Sequence, residues 1–90
     1  MTEIQVIITN TAGLHARPAA QFVQKSASFS CKVKIAGNNK VADGKSILAV
    51  MSMGLTLNTK LTITAEGADE ENCITALKEL IESNFGEDQV

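Results

Sequence analysis

At 90 residues the chain fits one compact domain (residues 1–90), and a hydrophobic share of 44% lets it bury a core without disulfide or metal staples. A formal net charge of -2 and the lack of any basic run interleaved with aromatics exclude direct nucleic-acid binding through bulk electrostatics. The apolar runs are too short to span a membrane, and the start Met1-Thr2-Glu3-Ile4 lacks the basic, then apolar, signature of a signal peptide, so a cytoplasmic chain without membrane insertion is expected.

The first element is a strand over Glu3 to Thr9, with Ile4, Val6 and Ile8 on one alternating face. Asn10, Thr11, Ala12 and Gly13 break it. From Ala16 to Ala27 the spacing turns helical: Ala19, Phe22 and Val23 form the inner stripe, while Gln21, Gln24 and Lys25 face outward. Pro18 falls in the first turn, where a missing N–H is tolerated. Cys31 to Ala36 alternates with Lys32 and Lys34 on the wet face, and Gly37-Asn38-Asn39 signals a hairpin into a short returning strand over Lys40 to Ala42. That strand is expected at a sheet edge, where lysine discourages pairing with other chains.

Asp43-Gly44-Lys45-Ser46 leads into a short apolar helix, Ile47 to Met53, with Ser46 as N-cap and Gly54 as stop. Lys60 to Glu66 is a strand burying Leu61, Ile63 and Ala65. Asp69 is expected to cap a last helix that begins with Glu70 and Glu71, buries Ile74, Leu77 and Ile81, and ends at Gly86. The order β-α-β-β-α-β-α implies an α+β fold, with antiparallel strands carrying the helices on one face.

Cys31 and Cys73 are widely separated and lack CxxC spacing, which favours two buried free thiols over a disulfide or a metal pair. With a single histidine and no clustered ligands, no metal and no cofactor are expected.

The segment Gly13-Leu14-His15-Ala16-Arg17-Pro18-Ala19 carries the chemistry. It joins a strand to a helix start and holds the only histidine and the only proline. A helix start presents unpaired N–H groups and a partial positive charge, an environment that receives anions. Arg17 adds a permanent cation whose planar fork matches phosphate oxygens. The same field disfavours imidazolium, so a histidine with an ordinary pKa of roughly 6.5 stays neutral and nucleophilic. Phosphoryl transfer depends mainly on positioning and charge neutralisation, so no further catalytic group is required. A surface helix end contributes only about 0.3–1 kcal/mol, a weak hold that suits a group meant to leave again.

Gly13-Leu14-His15-Ala16-Arg17-Pro18-Ala19, followed by Gly44-Lys45-Ser46-Ile47-Leu48-Ala49-Val50-Met51-Ser52-Met53-Gly54, resembles the HPr family of histidine-containing phosphocarriers. The resemblance spans essentially the whole chain. It implies an open-faced β-sandwich, a four-stranded antiparallel sheet covered on one face by three helices. It also implies a stoichiometric carrier rather than an enzyme. His15 would accept a phosphoryl group from enzyme I, which draws it from phosphoenolpyruvate, and hand it to the IIA domains of sugar transporters. Arg17 matches the family's phosphate-neutralising arginine and Pro18 its helix-opening proline.

In the Gram-positive type, the residue matching Ser46 is phosphorylated by HPr kinase/phosphorylase. The product then engages a catabolite-control transcription factor. A doubly charged phosphate at a helix N-terminus is compatible with the fold. A two-turn helix cannot bury all its apolar side chains, so Ile47, Leu48 and Met51 are expected to stay exposed as a docking patch. The resemblance adds Ala16, Ala20 and Gln24 of the first helix to that surface, although many relatives carry Thr where this chain has Ala20. A monomer is expected. The alternative is a regulatory phosphocarrier of the nitrogen-related branch, against which the Gly44-Lys45-Ser46-Ile47-Leu48 context argues. A small binding module of similar element order would instead require a concave apolar pocket.

Overall fold

Side-chain alternation and helical periodicity place seven elements along the chain in a computed structural model that describes residues 1–9, 13, 16–83 and 85. They are β1 (Thr2–Ile7), α1 (Ala16–Ala27), β2 (Lys32–Gly37), β3 (Lys40–Asp43), α2 (Ile47–Ser52), β4 (Lys60–Glu66) and α3 (Glu70–Glu82). The four strands form one antiparallel sheet in the order β1-β4-β2-β3, which puts β3 at an edge, as its lysine suggests.

The register explains the layering. Ile4 pairs with Ile63, Ile63 with Ile35, and Ile35 with Ala42, so one row of apolar side chains crosses all four strands. Because alternate residues point to opposite faces, this row and its neighbours Val6, Leu61, Ala65 and Val33 face the helices. Glu3, Gln5, Thr62, Thr64, Lys32 and Lys34 lie at the alternate positions and make up the opposite face. The helices supply Phe22 from α1, Val50 from α2, and Cys73, Ile74, Leu77 and Ile81 from α3 to the shared core. Full burial of side chains such as Phe22, Ile63 or Leu77 stabilises the fold by about 1.5–3 kcal/mol each. This is the α+β, open-faced arrangement of four strands and three helices.

Asn38 and Asn39, at φ 52° and 63°, form the two-residue hairpin between β2 and β3. The same turn reaches α2: the Asn38 amide donates to the Met53 and Gly54 carbonyls at 3.3 and 3.2 Å, and the Lys40 ammonium to that of Ser52 at 3.3 Å. Carbonyls at the end of a helix have no intrahelical partner, and a cation there also meets the negative end of the dipole. The hairpin thereby anchors α2 against the sheet.

The last helix departs from expectation at both ends. Asp69 occupies the N-cap position but makes no capping bond. Its carboxylate instead accepts from the backbone N–H groups of Ser30 and Cys31 at 2.8 and 3.0 Å, tying the start of α3 to the segment just before β2. These bonds hold its carboxyl below the usual range. Glu70 takes over at the helix start, where its carboxylate accepts from the Gly67 N–H and the Thr2 hydroxyl and pairs with the Met1 amine at 2.9 Å. α3 then ends at Glu82, with Ser83 as its cap, rather than at Gly86, which lies outside the described residues.

The bonds around Glu70, led by the Thr2 hydroxyl, hold its carboxyl at about 2, against an ordinary 4.5. A depressed carboxyl contributes its stability above its unfolded value and loses it as pH falls. Stability is therefore expected to drop between pH 4.5 and 2 partly through Glu70. Urea unfolding of Glu70→Gln across this interval should show a shallower dependence on pH than the parent. An unchanged slope would remove Glu70 from the acid response.

Candidate functional site

The chain enters α1 over a constrained step. Gly13 has φ +65° and lies so close to the loop before β4 that a Cβ would strike the Leu55 carbonyl oxygen and come within 2.8 Å of the Thr56 Cα. Only glycine satisfies both the left-handed conformation and the close approach. That loop is itself tied to the end of β1, since the Ile8 N–H donates to the Thr59 carbonyl at 3.0 Å and the Asn58 N–H to the Ile8 carbonyl at 2.7 Å. The position two residues before His15 is thus held by the sheet. His15 itself lies outside the described residues, as do Asn10, Thr11, Ala12 and Leu14.

α1 begins at Ala16, immediately after His15, and has no acidic residue in its first turn. Its positive end is therefore not neutralised from within the helix, in contrast to α3, whose first turn holds Glu70 and Glu71. Ala16 and Arg17 are exposed at this end, while Pro18, the third residue of the helix, is buried. An exposed guanidinium at the positive end of a helix can bind and neutralise a phosphate. One turn further, Ala20 is half-buried and Gln24 is exposed.

Ser46 stands at the N-cap of α2, in extended conformation, and its hydroxyl accepts from the Ala49 N–H at 3.3 Å. An Asp43 turn prepares this position: the Lys45 N–H donates to the Asp43 carboxylate at 2.9 Å and the Ser46 N–H to the Asp43 carbonyl at 3.1 Å. The first turn of α2 also lacks acidic residues. Ser46→Ala removes the capping bond and is expected to lower stability by about 1 kcal/mol in equilibrium unfolding.

α2 packs on α1 and on β3. Val50 and Met53 are buried, and Ala49 packs against the core. Ile47, Leu48 and Met51 remain exposed at 36%, 78% and 40%, so the structure brings the α2 patch and the exposed start of α1 onto neighbouring elements. Cys31 and Cys73 are both free and buried, and Asp69 links their backbones: its carboxylate accepts from the Cys31 N–H and its carbonyl from the Cys73 N–H. No local signal in the sequence reports this link, because it joins the residue just before β2 to the start of α3. Among the described residues no group of three His, Cys, Asp or Glu side chains is placed to hold a metal, and no helix is long and apolar enough to cross a membrane.

Comparison with known proteins places these features in a family. The family model described as "PTS HPr component phosphorylation site" matches residues 2–83. The phosphocarrier protein HPr of Pseudomonas aeruginosa is 40% identical over 88 residues, covering 97% of this chain and 98% of that protein. The crystal structure of HPr from Thermoanaerobacter tengcongensis superposes with a TM-score of 0.94 at 46% identity, covering 98% of this chain and 99% of the other. The Bacillus subtilis catabolite repression protein Crh, crystallised as a swapped dimer, is less similar, with a TM-score of 0.73 and 32% identity over 93% of this chain and 97% of that one. A match over nearly every residue, in sequence and in fold, establishes that the chain belongs to the HPr phosphocarrier family of the phosphotransferase system.

Proposed function

We propose that the chain works as a monomeric, single-domain cytoplasmic carrier that accepts a phosphoryl group on His15 from enzyme I and passes it to IIA domains of sugar transporters. The observation that carries the reading is the start of α1: it follows His15 directly, presents exposed Arg17, and has no carboxylate in its first turn. In the transfer, a ring nitrogen of His15 attacks phosphorus as the bond to the donor breaks. The charge arriving on the ring is met by the helix dipole and Arg17, and Pro18 fixes the first turn. The reverse geometry serves donation to the IIA domain. The carrier is consumed and regenerated stoichiometrically, without a cofactor.

Ser46 is the proposed regulatory site for HPr kinase/phosphorylase. Its place at the cap of α2 supports this reading, because a phosphate there gains from the helix dipole while placing negative charge beside Ile47, Leu48 and Met51. That change would weaken docking of acidic partners and favour a basic surface such as that of a catabolite-control transcription factor. The docking surface for enzyme I and IIA domains is assigned to Ala16, Ala20, Gln24, Ile47, Leu48 and Met51.

Incubation with enzyme I and phosphoenolpyruvate tests the proposal. One acid-labile phosphoryl group per chain is expected, followed by its loss to a sugar IIA domain. A chain that remains unlabelled, or one that discharges only to a nitrogen-branch IIA domain, would overturn it.

A further inference from the structure

Leu55 bridges two glycines that lie far apart in the chain. It sits in the loop between α2 and β4 and is 3% exposed, packed with the core. Its carbonyl oxygen occupies the space that a Cβ on Gly13 would need, two residues before His15. One methyl of the same side chain fills the corresponding space over Gly37, where a Cβ would stand 3.2 Å from Leu55 Cδ2 and 3.1 Å from the Lys60 carbonyl oxygen. Gly37 is the last residue of β2 and pairs with Lys40 across the β2–β3 hairpin. A single leucine therefore meets the step into α1 with its backbone and the hairpin with its side chain.

The loop is held on both sides of Leu55. Before it, the Asn38 amide of the same hairpin donates to the Met53 and Gly54 carbonyls, and the Gly54 N–H donates to the Met51 carbonyl at 3.4 Å. After it, the Thr56 N–H donates to the Thr59 hydroxyl at 3.3 Å and the Thr59 N–H to the Thr56 carbonyl at 3.1 Å. Asn58 and Thr59 are in turn bonded to Ile8 at the end of β1. A close-packed wedge with so many attachments transmits a displacement rather than absorbing it.

We propose, taking His15 as the phosphoryl acceptor, that Leu55 is a positioning residue for that imidazole: seated on Gly37, it supports Gly13, so the β2–β3 hairpin sets how His15 is presented. An alanine methyl at position 37 would press on Leu55, which must give by a few tenths of an ångström. The Leu55 carbonyl carries that movement to Gly13. Leu55 is buried and uncharged, so it acts on orientation and not on charge neutralisation. Transfer requires the attacking nitrogen in line with the breaking bond, and a misplacement this small should slow it about fivefold rather than abolish it.

The test compares the parent chain with Gly37→Ala and with Gly37→Ala carrying Leu55→Val, which shortens the side chain that the new methyl meets. With enzyme I and phosphoenolpyruvate, Gly37→Ala should lower kcat about fivefold at unchanged KM, because the exposed α2 patch is untouched, and Leu55→Val should restore most of the loss. The single imidazole gives a second reading that needs no enzyme. Its titration midpoint by proton NMR should shift in Gly37→Ala, as its distance from the helix end and Arg17 changes, and return in the double variant. A parent chain that accepts no phosphoryl group would end the carrier reading, and the titration would still decide whether Leu55 positions the imidazole. Circular dichroism checks each fold. If Gly37→Ala does not fold, Asn38→Gly replaces it, keeping the left-handed backbone and removing only an exposed amide, with the same shift in midpoint expected. A folded variant with the parent's kcat or the parent's midpoint, a change in KM alone, or a loss in Gly37→Ala that Leu55→Val leaves in place would each overturn the proposal.

Discussion

Alanine at His15 is expected to abolish labelling from phosphoenolpyruvate and enzyme I, with no acid-labile phosphoryl group above background. The loss should be complete rather than graded because the imidazole is the only one in the chain and a methyl group has no nucleophile. Arg17→Ala should behave differently: the nucleophile remains, so transfer slows but does not vanish. The linkage itself discriminates the two sites, since a phosphoramidate on His15 is lost in acid whereas a phosphate ester on Ser46 survives it. Acid-labile label persisting in His15→Ala would move the acceptor elsewhere and end the carrier reading as stated.

The second large effect is expected at Leu48, where folding and docking can be separated. Its side chain is 78% exposed, so Leu48→Glu removes little from the core and should change unfolding free energy by no more than about 0.5 kcal/mol. If the α2 patch receives the partner, the same change buries a charge at an interface centre. Losses of about 2 kcal/mol or more are typical of such positions, which corresponds to at least a roughly thirtyfold fall in kcat/KM for transfer from enzyme I. The deficit should fall mainly on KM, because Leu48 touches no reacting atom. Normal transfer kinetics in a well-folded Leu48→Glu chain would remove the patch from the docking surface. Phosphorylation at Ser46 should act in the same direction, as it sets a charge of about -1.5 to -2 at the cap of the same short helix.

Local rules made much of the architecture legible. α1 was expected at Ala16 to Ala27 and is found there, because its apolar stripe and proline leave few alternatives. β4 at Lys60–Glu66 and its buried Leu61, Ile63 and Ala65 follow from strict alternation. The exposure of Ile47, Leu48 and Met51 follows from a helix too short to hide them. The cap at Ser46 is also local, as it needs only a hydroxyl and an N–H three residues away. Expectation failed at Asp69. Its carboxylate had two uses open to it, and the N–H groups of Ser30 and Cys31, brought close by the sheet, won over the helix's own. Ser26, which the sequence reading left unassigned, is a polar residue buried on the inner face of α1.

By itself the sequence determined the element order, the apolar faces and the identity of the chemical segment around His15. Each of these depends on residues within a few positions of one another. Only the tertiary structure decided the long-range contacts: Gly13 seated on Leu55 and Thr56, α2 anchored by Asn38 and Lys40, and Asp69 bound to the N–H groups of Ser30 and Cys31. These contacts join residues far apart in the chain. Backbone hydrogen-bond demand and close packing select them only once the strands have aligned, so periodicity and spacing carry no trace of them.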